Sequence, residues 1–382
     1  MRALIAMSGG VDSSTAAFLL QWEGYECEGV NLTLYRNTDI GLACHKSCCT
    51  QKDADDASDA AFRLGIPFES LDCRGLFRET VMADFARGYE AGRTPNPCIE
   101  CNRRIKFDFL LDYAQRQGFD CLATGHYVRV GFDGASGRWQ MRTALDESKD
   151  QSYVLSMLSQ EQLARLRFPL GEYRKSEIRE IAASLGLVTA HKPDSQDICF
   201  VPDGDYGAFL ERYRGKVYPA GDFLDENGNT VGRHRGAVRY TLGQRRGLRL
   251  PMGERIYVVG KDMAANTVTV GPESSLYAAQ LTAGRMNWLS VPEPTQPIRV
   301  TARCRYRQTP RSALAEALPG GGLRLRFNEA QRAVTPGQTV VLYDGPLVLG
   351  GGIIQTVEKC RPAGRHFYRK RGNRDFLLTR WE

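Results

Sequence analysis

Over its first 200 residues the chain switches back and forth between two hydrophobic periods, and that leaves few folds open. Strand-like runs ("RALIAM", "YECEGVNLTLY", "PFESLD", "DCLATGHY") alternate with helical runs ("SSTAAFLLQWEG", "KDADDASDAAFRLG", "LFRETVMADFARGYEAG", "IKFDFLLDYAQRQG"). Strands separated by helices of this length are joined by crossovers. They therefore pair in parallel, and the helices cover both faces of the sheet. Gly24 and Gly65 close the first two helical runs. Two more, "SQEQLARL" and "KSEIREIAASLG", complete the half.

Near residue 205 the texture changes. Short β-branched runs follow, punctuated by Gly, Pro and Asn-Gly: "RIYVVGKD", "NTVTVG", "IRVTARCRY", "LRLRF" and "TVVLYD". These are all-β patterns with hairpin signals. The expected division is an α/β domain over 1–204, a small central β-rich domain over 205–280, and a β-barrel over 281–382. The barrel ends in the basic, aromatic tail "RPAGRHFYRKRGNRDFLLTRWE".

The first strand runs directly into "AMSGGVDSS", Ala6–Ser14. A Gly-rich turn feeding a helix N-terminus offers a cluster of backbone N–H donors to an anion. Gly9 and Gly10 permit close backbone approach, and Ser8, Ser13 and Ser14 add hydroxyls. No G-x-x-x-x-G-K-[ST] sequence is present, so this is not a Walker loop. Asp12 inside the turn points to a Mg²⁺ link to the phosphates rather than a lysine charge.

Charge is unevenly spread. Residues 1–200 hold 23 Lys and Arg against 28 Asp and Glu, a balance of −5. Residues 201–382 hold 28 against 16, a balance of +12. The basic half is mostly arginine, which grips phosphate bidentately and stacks on bases, so nucleic acid is the expected partner. No apolar run approaches 18 residues, and the N-terminus reads as a buried strand, not a signal peptide. A cytoplasmic protein with no membrane partner is expected. There its 11 cysteines stay largely reduced, and the C-x-x-C of "TPNPCIECN" (Cys98, Cys101) suggests metal binding or catalysis.

The S-G-G-x-D-S turn after an opening strand resembles the PP-loop of ATP pyrophosphatases, a family that cleaves ATP between its α and β phosphates. "GRTPNPCIECNRRIKF", "ATGHYVR", "KDQSYVLSML", "KPDSQDICFV", "YTLGQRRGL" and "RYRQ" together are similar to the bacterial tRNA-specific 2-thiouridylases, and the likeness runs in order from residue 3 to about 355. That resemblance implies a PP-loop, HUP-like domain that binds ATP and Mg²⁺ and adenylates the C2 oxygen of the wobble uridine. It implies ATP contacts at Ala6, Met7, Ser8, Gly9, Gly10, Val11, Asp12, Ser13, Leu34 and Gly125. Cys101 matches the family nucleophile, Cys199 the persulfide carrier, and His126 an activity-linked position, as does Gln338. Asn96, Pro97 and Cys98 match the segment that meets the target base. Lys149, Asp150 and Gln151, and in the barrel Arg305 and Tyr306, match tRNA contacts. A cysteine desulfurase or a sulfur-relay protein is the implied donor.

Two sulfur chemistries stay open. In the first, a persulfide on Cys199 delivers sulfur and Cys101 supplies the electrons, closing to a disulfide with Cys199. In the second, Cys98, Cys101 and Cys199 hold a [4Fe–4S] cluster, since many family members have Asp where this chain has Cys98. Zinc is the rival metal reading, with its fourth ligand sought in "CHKSCC" (Cys44, His45, Cys48, Cys49). Two rival functions remain: another PP-loop ligase, such as an amide-forming synthetase, and an RNA-binding iron–sulfur sensor. Arg2, where an amidotransferase would carry a nucleophilic cysteine, speaks against a built-in glutaminase, and an intact Asp12 loop speaks against the sensor.

Overall fold

A computed structural model of the protein describes residues 1–40, 51–192 and 198–360. The tail from 361 onward, the Cys44–Cys49 cluster and the whole of "PDSQD" lie outside the described residues.

The N-terminal sheet is parallel. Its strands are β1 (Arg2–Ala6), β2 (Glu26–Thr33), β3 (Phe68–Asp72) and β4 (Cys121–Thr124), with a two-residue strand Leu166–Arg167 at one edge. Their spatial order is β3-β2-β1-β4 and then Leu166–Arg167. The first strand lies near the middle and is buried on both faces, which accounts for its unbroken apolar run. Its side chains alternate between two cores. Ala3 and Ile5 join a cluster with helices α1 (Val11–Trp22) and α2 (Gln51–Leu64). Leu4 joins another with Ile99, Phe107 and Leu110, from the helical run that begins at Pro97. Period-two alternation thus delivers one strand to both helical layers.

Two helical runs contain wide, π-type stretches, Arg78–Met82 and Cys101–Phe109. The second starts on a cysteine already singled out by the sequence, and such turns often mark functional positions.

Past residue 205 the chain first forms a helix, Tyr206–Arg214, within a stretch whose sequence suggested only strands. Asp205 caps it through Ala208 N, and Gly215 ends it in the left-handed conformation at φ 64°. A four-stranded sheet follows, ordered Tyr257–Asp262, Thr267–Gly271, Gly221–Leu224, Thr230–His234. Six further strands make the C-terminal sheet, from Tyr277–Trp288 to Leu347–Lys359. These first and last strands pair with each other and close a barrel. The barrel is extended from an unexpected source. The hairpin Val128–Asp133 and Arg138–Thr143, contributed by the N-terminal half, docks on Leu347 through Arg142. Val128 and Met141 then share a buried cluster with Leu289, Val341 and Val348 of the barrel.

Candidate functional site

The phosphate turn is shaped by two glycines. Gly9 adopts φ 70°, and a β-carbon there would lie 2.0 Å from the Asp53 carbonyl oxygen of α2. A β-carbon on Gly125 would lie 2.7 Å from both the Asp12 carbonyl carbon and the Ser13 nitrogen. Any larger residue would push the end of β4 off the N-terminus of α1, so both positions demand glycine. Within the turn Ser13 Oγ accepts from Ser8 N at 3.1 Å and donates to Gly10 O at 3.2 Å. Gly10, the N-cap residue just before α1, supplies no side-chain cap, so the first N–H groups of α1 keep an open face for an anion.

The expectation of a lysine-free turn is corrected. Lys175, from the helix Lys175–Ser184, reaches Asp12 at 2.6 and 2.7 Å, and the Tyr127 hydroxyl donates to the same carboxylate at 2.7 Å. Lys192 donates to Gly9 O at 2.9 Å and pairs with Asp53 and Asp56, each at 2.6 Å. Burial pulls the Lys192 ammonium down, but the two carboxylates outweigh it and hold the pKa above its usual value. The positive charge that a Walker loop carries in its own sequence comes here from residues more than 160 positions away. Sequence spacing gave no signal for either lysine.

A cleft of about 1800 Å³ runs from this turn to the barrel. The described site residues expected from the sequence line it, except Gly9, which stands behind the turn against α2, and Ser14, whose buried hydroxyl donates to Gly10 O at 3.1 Å. Asn96 caps the helix that carries both cysteines by accepting from Cys98 N at 3.0 Å, and Pro97 fills its first position. The barrel holds this loop in place: Gln338 Nε2 donates to Thr94 O at 2.6 Å, and Thr94 N donates to Pro336 O at 3.1 Å. Cys98 is exposed, whereas Cys101 is half-buried and packs with Cys199 against an apolar cluster that includes Tyr35, Phe77 and Phe200. Tyr35 donates to the Cys199 carbonyl at 2.6 Å. Burial pushes the Cys101 thiol up to about 11, opposed by the charge of Lys106 and reinforced by Cys98.

His126 is 8% exposed, with Nδ1 2.7 Å from the Thr124 hydroxyl. Burial, and secondarily the charge of Lys106, hold its pKa well below the usual imidazole value, so the ring is neutral near pH 7.

Two expected RNA contacts turn inward. The Asp150 carboxylate is buried; it pairs with Arg303 at 3.0 Å and accepts from Ser152 Oγ at 2.8 Å. Its two neighbours remain in the cleft wall, and Gln151 braces Tyr127 by accepting from its N–H at 2.9 Å. Arg305 donates to Leu242 O at 3.2 Å, Ala333 O at 2.8 Å and the Thr335 hydroxyl at 2.9 Å. It therefore ties the central domain to the barrel instead of presenting a free guanidinium to phosphate. Tyr306 beside it is 38% exposed and faces the cleft, its ring 6.0 Å from that of Tyr153.

Among the described residues no three Cys, His, Asp or Glu side chains converge as a metal-ligand set. The sequence allowed Cys98, Cys101 and Cys199 to meet at one point; all three line the cleft, with Cys98 exposed and the other two packed against the apolar cluster. Mg²⁺ has weaker demands. It keeps several waters and needs one or two carboxylates beside the substrate phosphates, which Asp12 at the cleft wall suits. No helix among the described residues is long and apolar enough to cross a membrane.

Comparison with known proteins agrees with this architecture. Residues 1–203 match a family described as the tRNA methyl transferase HUP domain. Residues 207–272 match a tRNA methyl transferase PRC-barrel domain, and 278–354 an aminomethyltransferase beta-barrel domain. The expected fold class, a parallel-sheet nucleotide-binding domain followed by two β-rich domains, is borne out. The chain is 48% identical over 355 residues to the tRNA-specific 2-thiouridylase MnmA of Moorella thermoacetica, covering 93% of this chain and 99% of that protein. It is 43% identical to that of Acetivibrio thermocellus, again over 93% and 99%. Magnetococcus marinus MnmA is 44% identical over 92% and 98%. With identity at this level over nearly the whole length of each relative, the chain belongs to the tRNA-specific 2-thiouridylase family.

Proposed function

We propose that this protein is a tRNA uridine 2-sulfurtransferase working by adenylation followed by persulfide transfer. One observation carries the reading. Cys101 and Cys199, 98 residues apart in sequence, pack against one apolar cluster and line the cleft that also holds the phosphate turn. An ATP site and two thiols on a single cleft suit activation and sulfur delivery at one carbon.

ATP lies with its phosphates on the α1 N-terminus, and Asp12 would hold a Mg²⁺ ion that would offset their negative charge. The uridine C2 oxygen attacks the α phosphorus and pyrophosphate leaves. Asn96, Pro97 and exposed Cys98 line the entry for the target base. The terminal sulfur of a Cys199 persulfide, loaded by a cysteine desulfurase or a relay protein, adds to C2, and AMP departs with the C2–O electron pair. The Cys101 thiolate then attacks the Cys199 sulfur. A Cys101–Cys199 disulfide forms, and the S–S electron pair stays with the transferred sulfur as the thiocarbonyl. An external thiol reduces the disulfide for the next turnover. The basic C-terminal half supports tRNA as the substrate.

The test is incubation of the protein with ATP, Mg²⁺, bulk tRNA and a persulfide donor, reading AMP by chromatography and 2-thiouridine by nucleoside mass spectrometry. Both products are expected. AMP without thiouridine would favour an amide-forming ligase, and neither product would favour a non-catalytic RNA binder.

A further inference from the structure

The sequence singled out "CNRRIKF" only for its cysteine, and Lys106 received no role. Lys106 lines the cleft and is half-buried. The other cations of this helix are engaged. Arg103 pairs with Glu100 at 2.8 Å, and Arg104 with Glu100 and Asp84, each at 2.9 Å. Across the cleft, Lys175 is held by Asp12 and Lys192 by Asp53 and Asp56. Lys106 makes no hydrogen bond or ion pair among the described residues.

Its position follows from the wide helical stretch. Cys101 and Lys106 are five residues apart, about 140° around an ordinary α-helix and so on nearly opposite sides. Cys101–Phe109 is π-helical, and an i→i+5 hydrogen-bonding pattern stacks residue 106 over residue 101. The ammonium accordingly acts electrostatically on two groups, the Cys101 thiol and the His126 ring. These belong to opposite parts of the site: Cys101 to the sulfur side, and His126 to the strand end that abuts the phosphate turn through Gly125. His126 is neutral, so it brings no charge of its own.

We propose that Lys106 is a catalytic residue whose ammonium meets the negative charge that builds on the C2 oxygen and the departing phosphoryl group as sulfur attacks the adenylated base. The inference rests on the thiolation reading given above. A fixed cation in a half-dry site stabilises such charge far better than water does, because its orientation is set before the reaction begins. It also explains why one cation on this wall is left without a carboxylate: a partner would neutralise it.

The experiment compares Lys106→Met, which keeps length and removes charge, with Lys106→Arg, which keeps charge. Single-turnover 2-thiouridine formation is measured with saturating tRNA and ATP, beside tRNA affinity and the thermal midpoint. Loss of one such stabilising group corresponds to about 10²–10³-fold in rate. That loss is expected for Lys106→Met, with affinity and midpoint unchanged and at least a tenfold recovery in Lys106→Arg. If Lys106→Met does not fold, Lys106→Gln replaces it in the comparison. A folded neutral variant thiolating at near wild-type rate overturns the proposal, as does an equal loss in Lys106→Arg. A wild-type protein that makes no thiouridine would instead sink the functional reading itself.

Discussion

Replacing Arg305 by Met should destabilise the protein and leave its electrostatic grip on tRNA intact. The two hydrogens of Arg305 Nη2 are shared among three acceptors, two backbone carbonyls from different domains and the Thr335 hydroxyl. A hydrogen bond from a charged donor contributes about 1.5–3 kcal/mol when its acceptor is left dry. The full sum overstates the loss. The Leu242 contact is long and borders the cleft, where water can replace it. The Thr335 hydroxyl already has a second partner in Ala333 O at 2.9 Å. Burial also holds the Arg305 pKa below its usual value, so the fold bears a desolvation cost that the substitution removes. A net loss of about 2–3 kcal/mol remains, roughly 4–12 °C in the midpoint of a domain of this size. Scanning calorimetry without tRNA reads the midpoint. The salt dependence of tRNA affinity reads phosphate contacts, since each one lost flattens the log–log slope by about 0.7–0.9. An unchanged midpoint with a slope flattened by that amount would refute the tie and make Arg305 a phosphate ligand.

Asp12→Asn should abolish AMP formation while tRNA affinity persists; the loss expected for a charge at the metal and phosphate centre is about a thousandfold, measured by AMP release, and near-normal release would exclude Asp12 from that role. Cys98→Asp should retain thiolation with no iron in anaerobically purified protein, because Cys98 is exposed while Cys101 and Cys199 both pack against the apolar cluster; iron-dependent activity lost in this variant would favour the cluster. Lys261 sets a pH dependence: burial lowers its pKa from 10.5 to about 8. Between those values the unfolded chain binds a proton that the fold does not, so stability should rise with pH across that window, and Lys261→Met should flatten the rise in calorimetry at both ends of it. An identical slope in the variant would show that Lys261 is not the group responsible.

What sequence alone determined was everything carried by local period and local chemistry. The alternation of strand and helix runs specifies a parallel sheet because those periods dictate which side chains can be buried together. The S-G-G-x-D-S turn specifies an anion site because glycines and a helix N-terminus act within a few residues of each other. The two thiols were legible as candidate reagents only through the likeness of their motifs to a known family. Contacts between residues remote in the chain were not legible, and only the tertiary structure decided them. Lys175 and Lys192 reach the phosphate turn from helices and loops with no spacing signature. Arg305 and Asp150 look like free charges in a basic or polar stretch, yet each finds buried partners in another segment. The hairpin at Val128 leaves its own half for the barrel because its apolar face completes a core there. Cys98 and Cys101 are neighbours in sequence, but burial separates them into a solvent-facing thiol and a sheltered one. Burial and partner choice are properties of the assembled surface, so no reading of period or motif can supply them.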